Sequence, residues 1–223
     1  MPVFSTDNSR HDVTGVILAG GRSSRMGSNK ALLPYRGGRF IEAIYRQLGN
    51  HFSEVLLVTN TPEQYDFLPC RKVPDIFPGM GALAGLHSGL AHSSTPHIFV
   101  VACDMPYLND TLIGTLAALR HSADLIIPES PYGLEPLHAL YARECLPHMA
   151  AALHDNRRRI VSFFDRVNVC CFGKEKVAAI DPAFATFSNI NTPIDYYALR
   201  EGERRSSPDA AALPLPLRHS CRG

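Results

Sequence analysis

The segment of the chain best suited to chemistry is residues 18–30, which is rich in glycine and in cations. It reads Leu-Ala-Gly-Gly-Arg-Ser-Ser-Arg-Met-Gly-Ser-Asn-Lys, with its three positive charges on Arg22, Arg25 and Lys30. The two adjacent glycines let the backbone approach a ligand without a Cβ in the way. Exposed backbone N–H groups beside cations are what a polyphosphate needs, so the segment predicts an anion-binding loop. An ordinary basic surface loop is the alternative.

Two widespread phosphate-binding patterns do not fit this segment. A GxxxxGK[ST] loop is missing, because Lys30 is followed by Ala31. The segment does not contain GxGxxG either. The prediction of an anion site therefore depends on the types of its residues and not on either of these motifs.

Asp104 is the second candidate for chemistry. It follows residues 98–102, the strongest strand pattern in the chain, and it precedes Pro106, which cannot continue a ladder of hydrogen bonds. A lone carboxylate there suits Mg²⁺, which prefers one or two carboxylates together with phosphate oxygens and waters. A structural role, in which Asp104 caps the next element, is the alternative.

The hydrophobic pattern places both candidates in an α/β fold. Short apolar runs predict buried strands at residues 13–18, 55–59 and 98–102, and a weaker one beginning at Val73. Amphipathic patterns predict helices over residues 40–48, 82–92 and 109–120, the last with Asn109 as its N-cap. The alternation predicts a mostly parallel central sheet with helices on both faces. Residues 18–30 and Asp104 then lie at its carboxyl edge, where open α/β sheets bind ligands.

The second half of the chain is less regular. We expect a strand over 137–141, largely helical structure over 143–166, a last strand over 184–190 and a short helix beginning at Thr192-Pro193. Residues 1–12 and 201–223 are expected to be disordered, because they are polar or interrupted by prolines. The folded domain is therefore predicted to span residues 13–200.

Composition excludes several classes of protein. The formal net charge is +1, which gives no global field to attract nucleic acid or an anionic membrane. The six cysteines form no CxxC pair and no zinc pattern, which favours thiols in a reducing cytoplasm. The chain contains neither a secretory signal nor an apolar run of the ~20 residues that span a bilayer. We therefore expect a cytoplasmic protein.

Several strings of the sequence together resemble one known family. Residues 18–30 follow the pattern Leu-Ala-Gly-Gly-x-x-x-Arg-Met-Gly-x-x-Lys, and Cys103-Asp104-Met105-Pro106 and Asn189-Ile190-Asn191-Thr192-Pro193-Ile194-Asp195 come later in the same order. They resemble the motifs of nucleotidyltransferases with a GT-A-like Rossmann fold, and among these the molybdenum cofactor guanylyltransferases of the MobA type. Gly81-Ala82-Leu83-Ala84-Gly85 is similar to a further family segment, although Ala82 stands where the family has proline. The resemblance covers roughly residues 13–200 and implies a three-layer Rossmann-like fold.

The resemblance also implies roles for individual residues. It implies that Arg25, Lys30 and Asp104 are catalytic, that Asp104 binds Mg²⁺, and that the acceptor side is formed by His138, Asn189 and Asn191. The implied contacts to the nucleotide come from Leu18, Ala19, Gly20, Gly21, Lys30, Asn60, Asp75, Gly81, Leu83, Gly85 and Asp104. Without the resemblance, Asn60 and Asp75 would be interpreted as turn residues, Gly81 to Gly85 as a closely packed helix start, and Asn191 as a helix cap.

The implied reaction is transfer of GMP from GTP to molybdopterin with release of pyrophosphate. The acceptor phosphate is already anionic at neutral pH, so the reaction needs no general base. A cytidylyltransferase acting on the same cofactor is one alternative, and a non-catalytic carrier of the cofactor is another. Transient contact with a molybdoenzyme or a molybdate-insertion protein is compatible with either.

Overall fold

A computed structural model describes residues 9–20 and 29–206. The strands are β1 Val13–Leu18, β2 Pro34–Tyr35, β3 Gly38–Arg39, β4 Glu54–Val58, β5 Arg71–Val73, β6 His97–Ala102, β7 Leu125–Ser130, β8 Gly133–Leu134, β9 His138–Ala142 and β10 Val169–Phe172. The α-helices are α1 Ser9–Asp12, α2 Phe40–His51, α3 Ala82–His92, α4 Asp110–Ala118, α5 Leu146–His154, α6 Lys174–Ile180 and α7 Pro193–Ser206. Short 3₁₀ helices cover Lys30–Leu32, Pro62–Tyr65, Arg143–Cys145, Ile160–Arg166 and Ala185–Phe187.

The central sheet has the strand order β10-β7-β9-β6-β1-β4-β5, and β8 pairs with β7 outside this path. Strand β1 lies between β4 and β6 and is parallel to both. All six of its residues are buried, which explains its continuous apolar run: a parallel strand covered on both faces has no polar side. Strand β9 is antiparallel to both of its neighbours. The prediction of a mostly parallel sheet is confirmed.

Helices cover both faces of this sheet and give it three layers. One core contains Ile17 with apolar residues of α2, α4 and α6. The other contains Val16 with apolar residues of α3 and α5. Helix α3 approaches β1 so closely that a Cβ on Gly89 would lie 2.7 Å from a methyl group of Val16. Glycine is therefore required at this position for the packing of α3 on the sheet.

The helix predictions of the first half are confirmed, and their local causes are visible. Helix α2 buries Phe40, Ile41, Ile44 and Leu48 along one face, and each such side chain stabilises the fold by about 1.5–3 kcal/mol. Helix α4 begins after Asn109, whose side chain accepts a hydrogen bond from the backbone N–H of Leu112 at 3.0 Å. Asn109 is thus the predicted N-cap.

The strand predicted over residues 184–190 is wrong. The structure has a 3₁₀ turn at Ala185–Phe187, preceded by Phe184 in the left-handed region with φ 51°. The carboxylate of Asp181 accepts the backbone N–H of Thr186 at 2.9 Å. This local hydrogen bond stabilises a turn where the apolar pattern suggested a ladder. Asn189 and Asn191 therefore do not share a strand.

Helices also occupy parts of both terminal segments that were expected to be disordered, 1–12 and 201–223. Helix α1 is attached to the domain, because the backbone N–H of Ser53 donates to the carbonyl of Arg10 at 2.9 Å. Helix α7 continues to Ser206 and buries Leu199 in a small cluster with Tyr35 and Phe40.

The sequence did not predict β7 and β10. Strand β7 contains Pro128, which usually argues against a strand. Its pairing with β9 involves only Leu125 and Ile126, and Pro128 is the last residue of β7 paired with β10, opposite Phe172. Among the helices of the described ranges, none is both long and apolar enough to cross a membrane.

Candidate active site

The carboxyl ends of three neighbouring parallel strands bring the candidate residues together. Backbone hydrogen bonds extend the pairing beyond the strand ends: Ala19 N–H to Val58 O at 3.0 Å, and Cys103 N–H to Leu18 O at 3.2 Å. The residues that follow β1, β4 and β6 therefore leave the sheet side by side. Ala19 is partly buried and Gly20 is exposed. Gly21 and Arg25, to which the sequence also assigned roles, lie outside the described residues.

Lys30, Asp104 and Asn191 meet at this edge, and we call them the phosphate-side cluster. The ammonium of Lys30 lies 4.0 Å from Asp104 Oδ2 and donates to Asn191 Oδ1 at 2.9 Å. The backbone N–H of Ile190 donates to the carbonyl of Asp104 at 3.0 Å and holds the closing segment against the end of β6. Only 15% of the Lys30 side chain and 23% of the Asp104 side chain are exposed. A cation and an anion are thus held together in a partly desolvated place.

The surroundings of Asp104 disfavour its charged form. Burial raises the pKa of Asp104, while the Lys30 charge and the residue's own backbone N–H oppose that rise. Among the described residues, Lys30 is the one side chain that forms an ion pair with this carboxylate. Burial, reinforced by the Asp104 charge, raises the pKa of the neighbouring Cys103 thiol to about 12, so the thiol is neutral and inert at neutral pH. Asp104 is the one carboxylate of this cluster.

A second group at the same edge, which we call the base-side cluster, consists of Leu18, Asn60, Asp75 and Gly85. Asn60 Nδ2 donates to Asp75 Oδ2 at 2.9 Å, and Asp75 N–H donates back to Asn60 Oδ1 at 2.9 Å. A Cβ on Gly85 would lie 3.4 Å from a Leu18 methyl group and 3.6 Å from Asp75 Oδ1. The Leu18 side chain, the Gly85 backbone and an Asp75 carboxylate oxygen thus lie in close contact, with Leu18 and Gly85 buried. Burial raises the pKa of Asp75, and the Asn60 hydrogen bond opposes the rise.

Gly81 starts helix α3 beside the base-side cluster. Its φ of 78° and ψ of −158° are accessible essentially to glycine alone. Ala82 takes the first helical position, where proline is also well accommodated, so the departure from the family string leaves the helix start intact. Leu83, for which the resemblance implied a contact to the nucleotide, is fully buried in the core and presents no surface to a ligand in this structure.

His138 is not placed as the sequence suggested. Its side chain has no exposed surface, and its ring packs edge-to-face on Phe99 at 5.1 Å and on Phe187 at 5.4 Å. Neither ring nitrogen has a hydrogen-bond partner in the described part of the chain. Burial lowers the pKa of His138 to about 3, so the ring is neutral. As a core residue it presents no surface to an acceptor.

The two asparagines of the closing motif also differ. Asn191 belongs to the phosphate-side cluster through Lys30. Asn189 is exposed, and no hydrogen bond of the cluster within the described residues involves it. The absence of the predicted strand explains this difference, because the side chains of residues i and i+2 point to the same side only in a β-strand.

Sequence reasoning missed the residues that support Lys30 from the other side. Asn29 caps the turn Lys30–Leu32 by accepting the backbone N–H of Ala31 at 3.2 Å. Its amide nitrogen donates to Gln64 Oε1 and to Tyr65 Oη, each at 2.8 Å. An asparagine directly before a helical turn is a usable N-cap signal and could have indicated this role. The turn that carries Lys30 is thereby tied to the segment that follows Asn60.

The described residues provide only part of a metal site. They contain no group of three or more His, Cys, Asp or Glu side chains arranged to hold an ion. A single carboxylate fits Mg²⁺ only when the phosphates of a substrate and water complete its oxygen ligands. Asp104, a single carboxylate at the carboxyl edge, fits a site of that kind, in which the substrate supplies the other ligands.

Comparison with known proteins agrees with this arrangement. Residues 15–168 match the MobA-like NTP transferase domain. The chain is 34% identical to the molybdenum cofactor guanylyltransferase of Desulfosudis oleivorans over 81% of this chain and 90% of the relative. It is 36% identical to the probable molybdenum cofactor guanylyltransferase of Clostridium perfringens over 82% of this chain and 93% of the relative. 

The fold is shared with a solved structure as well. The crystal structure of molybdopterin-guanine dinucleotide biosynthesis protein A from Archaeoglobus fulgidus superposes with a TM-score of 0.75 at 27% identity, covering 86% of this chain and 99% of that one. The chain is therefore a nucleotidyltransferase that belongs to the MobA-like family of molybdenum cofactor guanylyltransferases.

Proposed function

We propose that this protein transfers GMP from GTP to molybdopterin in a Mg²⁺-dependent reaction that releases pyrophosphate. The relatives named as guanylyltransferases support this assignment. The observation that carries it for this chain is the position of the two clusters. The phosphate-side cluster and the base-side cluster lie at one sheet edge, where a nucleotide can contact both.

The base-side cluster suits guanine. The Watson–Crick edge of guanine offers two neighbouring N–H donors, and cytosine offers one amino group beside acceptors. Oδ2 of Asp75 accepts a hydrogen bond from Asn60, whereas Oδ1 lies toward Leu18 and Gly85. The Asp75 carboxylate at this edge accepts from the N–H donors of guanine.

The phosphate-side cluster suits the reaction itself. An oxygen of the terminal phosphate of molybdopterin attacks the α-phosphorus of GTP, and the bond from that phosphorus to the pyrophosphate oxygen breaks. Lys30 binds the triphosphate and neutralises charge that develops on the leaving pyrophosphate. Asp104 would hold Mg²⁺, which would supply positive charge to stabilise the leaving group. Asn191 orients the Lys30 ammonium, and no residue has to remove a proton.

Pyrophosphate release tests the proposal. The protein would be incubated with Mg²⁺ and molybdopterin, and with GTP, CTP, ATP or UTP in parallel. We expect release with GTP, none without molybdopterin, and loss of release when a chelator removes the metal. A preference for CTP would keep the reaction type and overturn the base. Binding of molybdopterin without release from any nucleotide would identify a carrier instead.

A further inference from the structure

Asp195 lies at the start of helix α7 and organises the turn that contains Asn191. Its Oδ2 accepts the backbone N–H of Asn191 at 2.9 Å and that of Thr192 at 2.8 Å. The Thr192 hydroxyl in turn accepts the backbone N–H of Asp195 at 3.2 Å. This reciprocal arrangement is a capping box in which Thr192 is the N-cap. The side chain of Asn191 is therefore not needed as a cap.

Because Thr192 caps the helix, the side-chain amide of Asn191 is available to the phosphate-side cluster. Asn191 Oδ1 accepts the Lys30 ammonium at 2.9 Å, and that ammonium lies 4.0 Å from Asp104 Oδ2. Asp195 therefore fixes the backbone of Asn191, Asn191 fixes Lys30, and Lys30 stands beside Asp104. A hydrogen bond also connects helix α7 to strand β2, because Tyr196 Oη donates to the carbonyl of Pro34 at 2.9 Å.

The chemistry of Asp195 suits a permanent support. The backbone N–H groups of Thr192 and Asn191 and the Thr192 hydroxyl lower its pKa, with a smaller contribution from Lys30. The carboxylate is thus charged at neutral pH. Both backbone N–H groups bind the same oxygen, Oδ2, so the amide oxygen of an asparagine could replace it.

We propose that Asp195 is a positioning residue of the transfer reaction, acting through Asn191 to hold the Lys30 ammonium beside Asp104. The proposal rests on the function proposed above. Asp195 itself does not contact the substrate. It differs from a simple helix cap in one property: the effect of an Asp195 substitution on the reaction with GTP must depend on the presence of the Asn191 amide.

A double-mutant cycle measures that dependence. Asp195→Ala, Asn191→Ala and the double variant would be compared with the parent in pyrophosphate release and in the dissociation constant of GTP without acceptor. We expect Asp195→Ala to lower kcat/KM for GTP about tenfold in the parent, the loss expected when a hydrogen bond that orients a charged group is removed. In the Asn191→Ala background the same change should cost less than about twofold, because coupled residues are not additive. Asp195→Asn should restore most of the activity.

Glu54→Ala is the matched control. Glu54 is also a carboxylate that accepts a backbone N–H, that of Ser94, at the opposite edge of the sheet. Its effect should be equal in the parent and in the Asn191→Ala background. Thermal unfolding of every variant identifies those that are only less stable.

The outcomes separate the two proposals. Equal fold losses for Asp195→Ala in both backgrounds would reduce Asp195 to a cap and overturn this inference alone. A parent protein that binds GTP but releases no pyrophosphate would overturn the proposed function, and the cycle measured on GTP binding would still decide the role of Asp195. A parent that does not bind GTP would overturn both.

Discussion

The two edges of the central sheet carry carboxylates in opposite situations. At the amino edge, Glu54 Oε2 accepts the Thr14 hydroxyl at 2.7 Å and both the backbone N–H and the hydroxyl of Ser94. Burial alone would raise the pKa of Glu54, but these hydrogen bonds outweigh it and the pKa is lowered. The folded protein itself satisfies this carboxylate.

At the carboxyl edge, burial raises the pKa of Asp75 and of Asp104, and their partners do not compensate. The protein holds both groups in less favourable electrostatic surroundings than Glu54. Carboxylates whose pKa is raised by burial at an open edge of a sheet are expected where a ligand supplies the missing partners. The comparison therefore separates a carboxylate that the fold itself satisfies from two that it leaves in less favourable surroundings, to which the proposed function assigns a base and a cation.

The largest effect that tests this comparison is expected at Asp104. Asp104→Ala should lower kcat by about 100-fold or more, in the range seen when an electrostatic stabiliser is removed. Steady-state pyrophosphate release at saturating GTP would measure it, with Glu54→Ala as the control that keeps near-parental kcat. A nearly normal kcat in Asp104→Ala would remove the metal site from this edge.

His138 shows that a group without hydrogen-bond partners is not always a binding group. Its ring nitrogens have no partner in the described part of the chain, but its side chain has no exposed surface that a ligand could reach. Its folded pKa of about 3 lies below the ordinary value of 6.5, so the folded state binds fewer protons than the unfolded state. The free energy of unfolding is therefore unaffected by this group above pH 6.5. It decreases as the pH falls from 6.5 toward 3, by about 1.4 kcal/mol per pH unit.

The variant His138→Leu should therefore lack this slope. Urea unfolding of the parent and the variant at pH 7 and pH 5 would show a difference that grows in favour of the variant at the lower pH. At pH 7 the two should differ by less than about 1.5 kcal/mol, since the volumes are similar. Parallel pH dependences would mean that a proton reaches the ring in the folded protein.

A selective effect is expected at Asp75. Asp75→Asn replaces an accepting oxygen by an amide that can present a donor, so the KM for GTP should rise about tenfold. ITP, which lacks the 2-amino group, should lose less. Measuring kcat/KM for both nucleotides checks the expectation, and equal losses would show that Asp75 supports the loop without contacting the base.

The smallest effect should appear at the satisfied carboxylate. Glu54→Ala should lower the free energy of unfolding by about 1 kcal/mol, the net value of a typical hydrogen-bonded group. Its kcat/KM should stay within about twofold of the parent, because the change is far from both clusters. Denaturant unfolding and kinetics on one preparation would test both parts. A loss of kcat/KM well beyond twofold would contradict the proposed difference between the two edges of the sheet.

The first half of the fold could be predicted because its signals are local. Strand β1 is a continuous apolar run, and α2 places Phe40, Ile41, Ile44 and Leu48 on one face. Strand β10 could not be predicted, since two of its four residues are exposed and its partner in the described sheet is β7, more than 40 residues away. The turn at Ala185–Phe187 depends on the Asp181 side chain, which an apolar pattern does not reveal.

The candidate site was predictable in its residue types more than in its contacts. Lys30 and Asp104 were named from charge, glycine content and position after strands, and Lys30 meets Asn191 although 161 residues separate them. The resemblance placed His138 on the acceptor side, but a resemblance of a segment does not say which of its side chains face the core. Asp195 was overlooked because its role is carried by backbone hydrogen bonds.

The most direct test of the account is hydrogen–deuterium exchange of the protein with and without GTP and Mg²⁺. We expect GTP to slow exchange of backbone amides in the turn Lys30–Leu32 and in the first turn of α3, and to leave Ser93–His97 and the start of β4 unchanged. Protection confined to the amino edge, or none at the carboxyl edge under conditions where GTP is bound, would contradict the assignment of the nucleotide to the carboxyl edge.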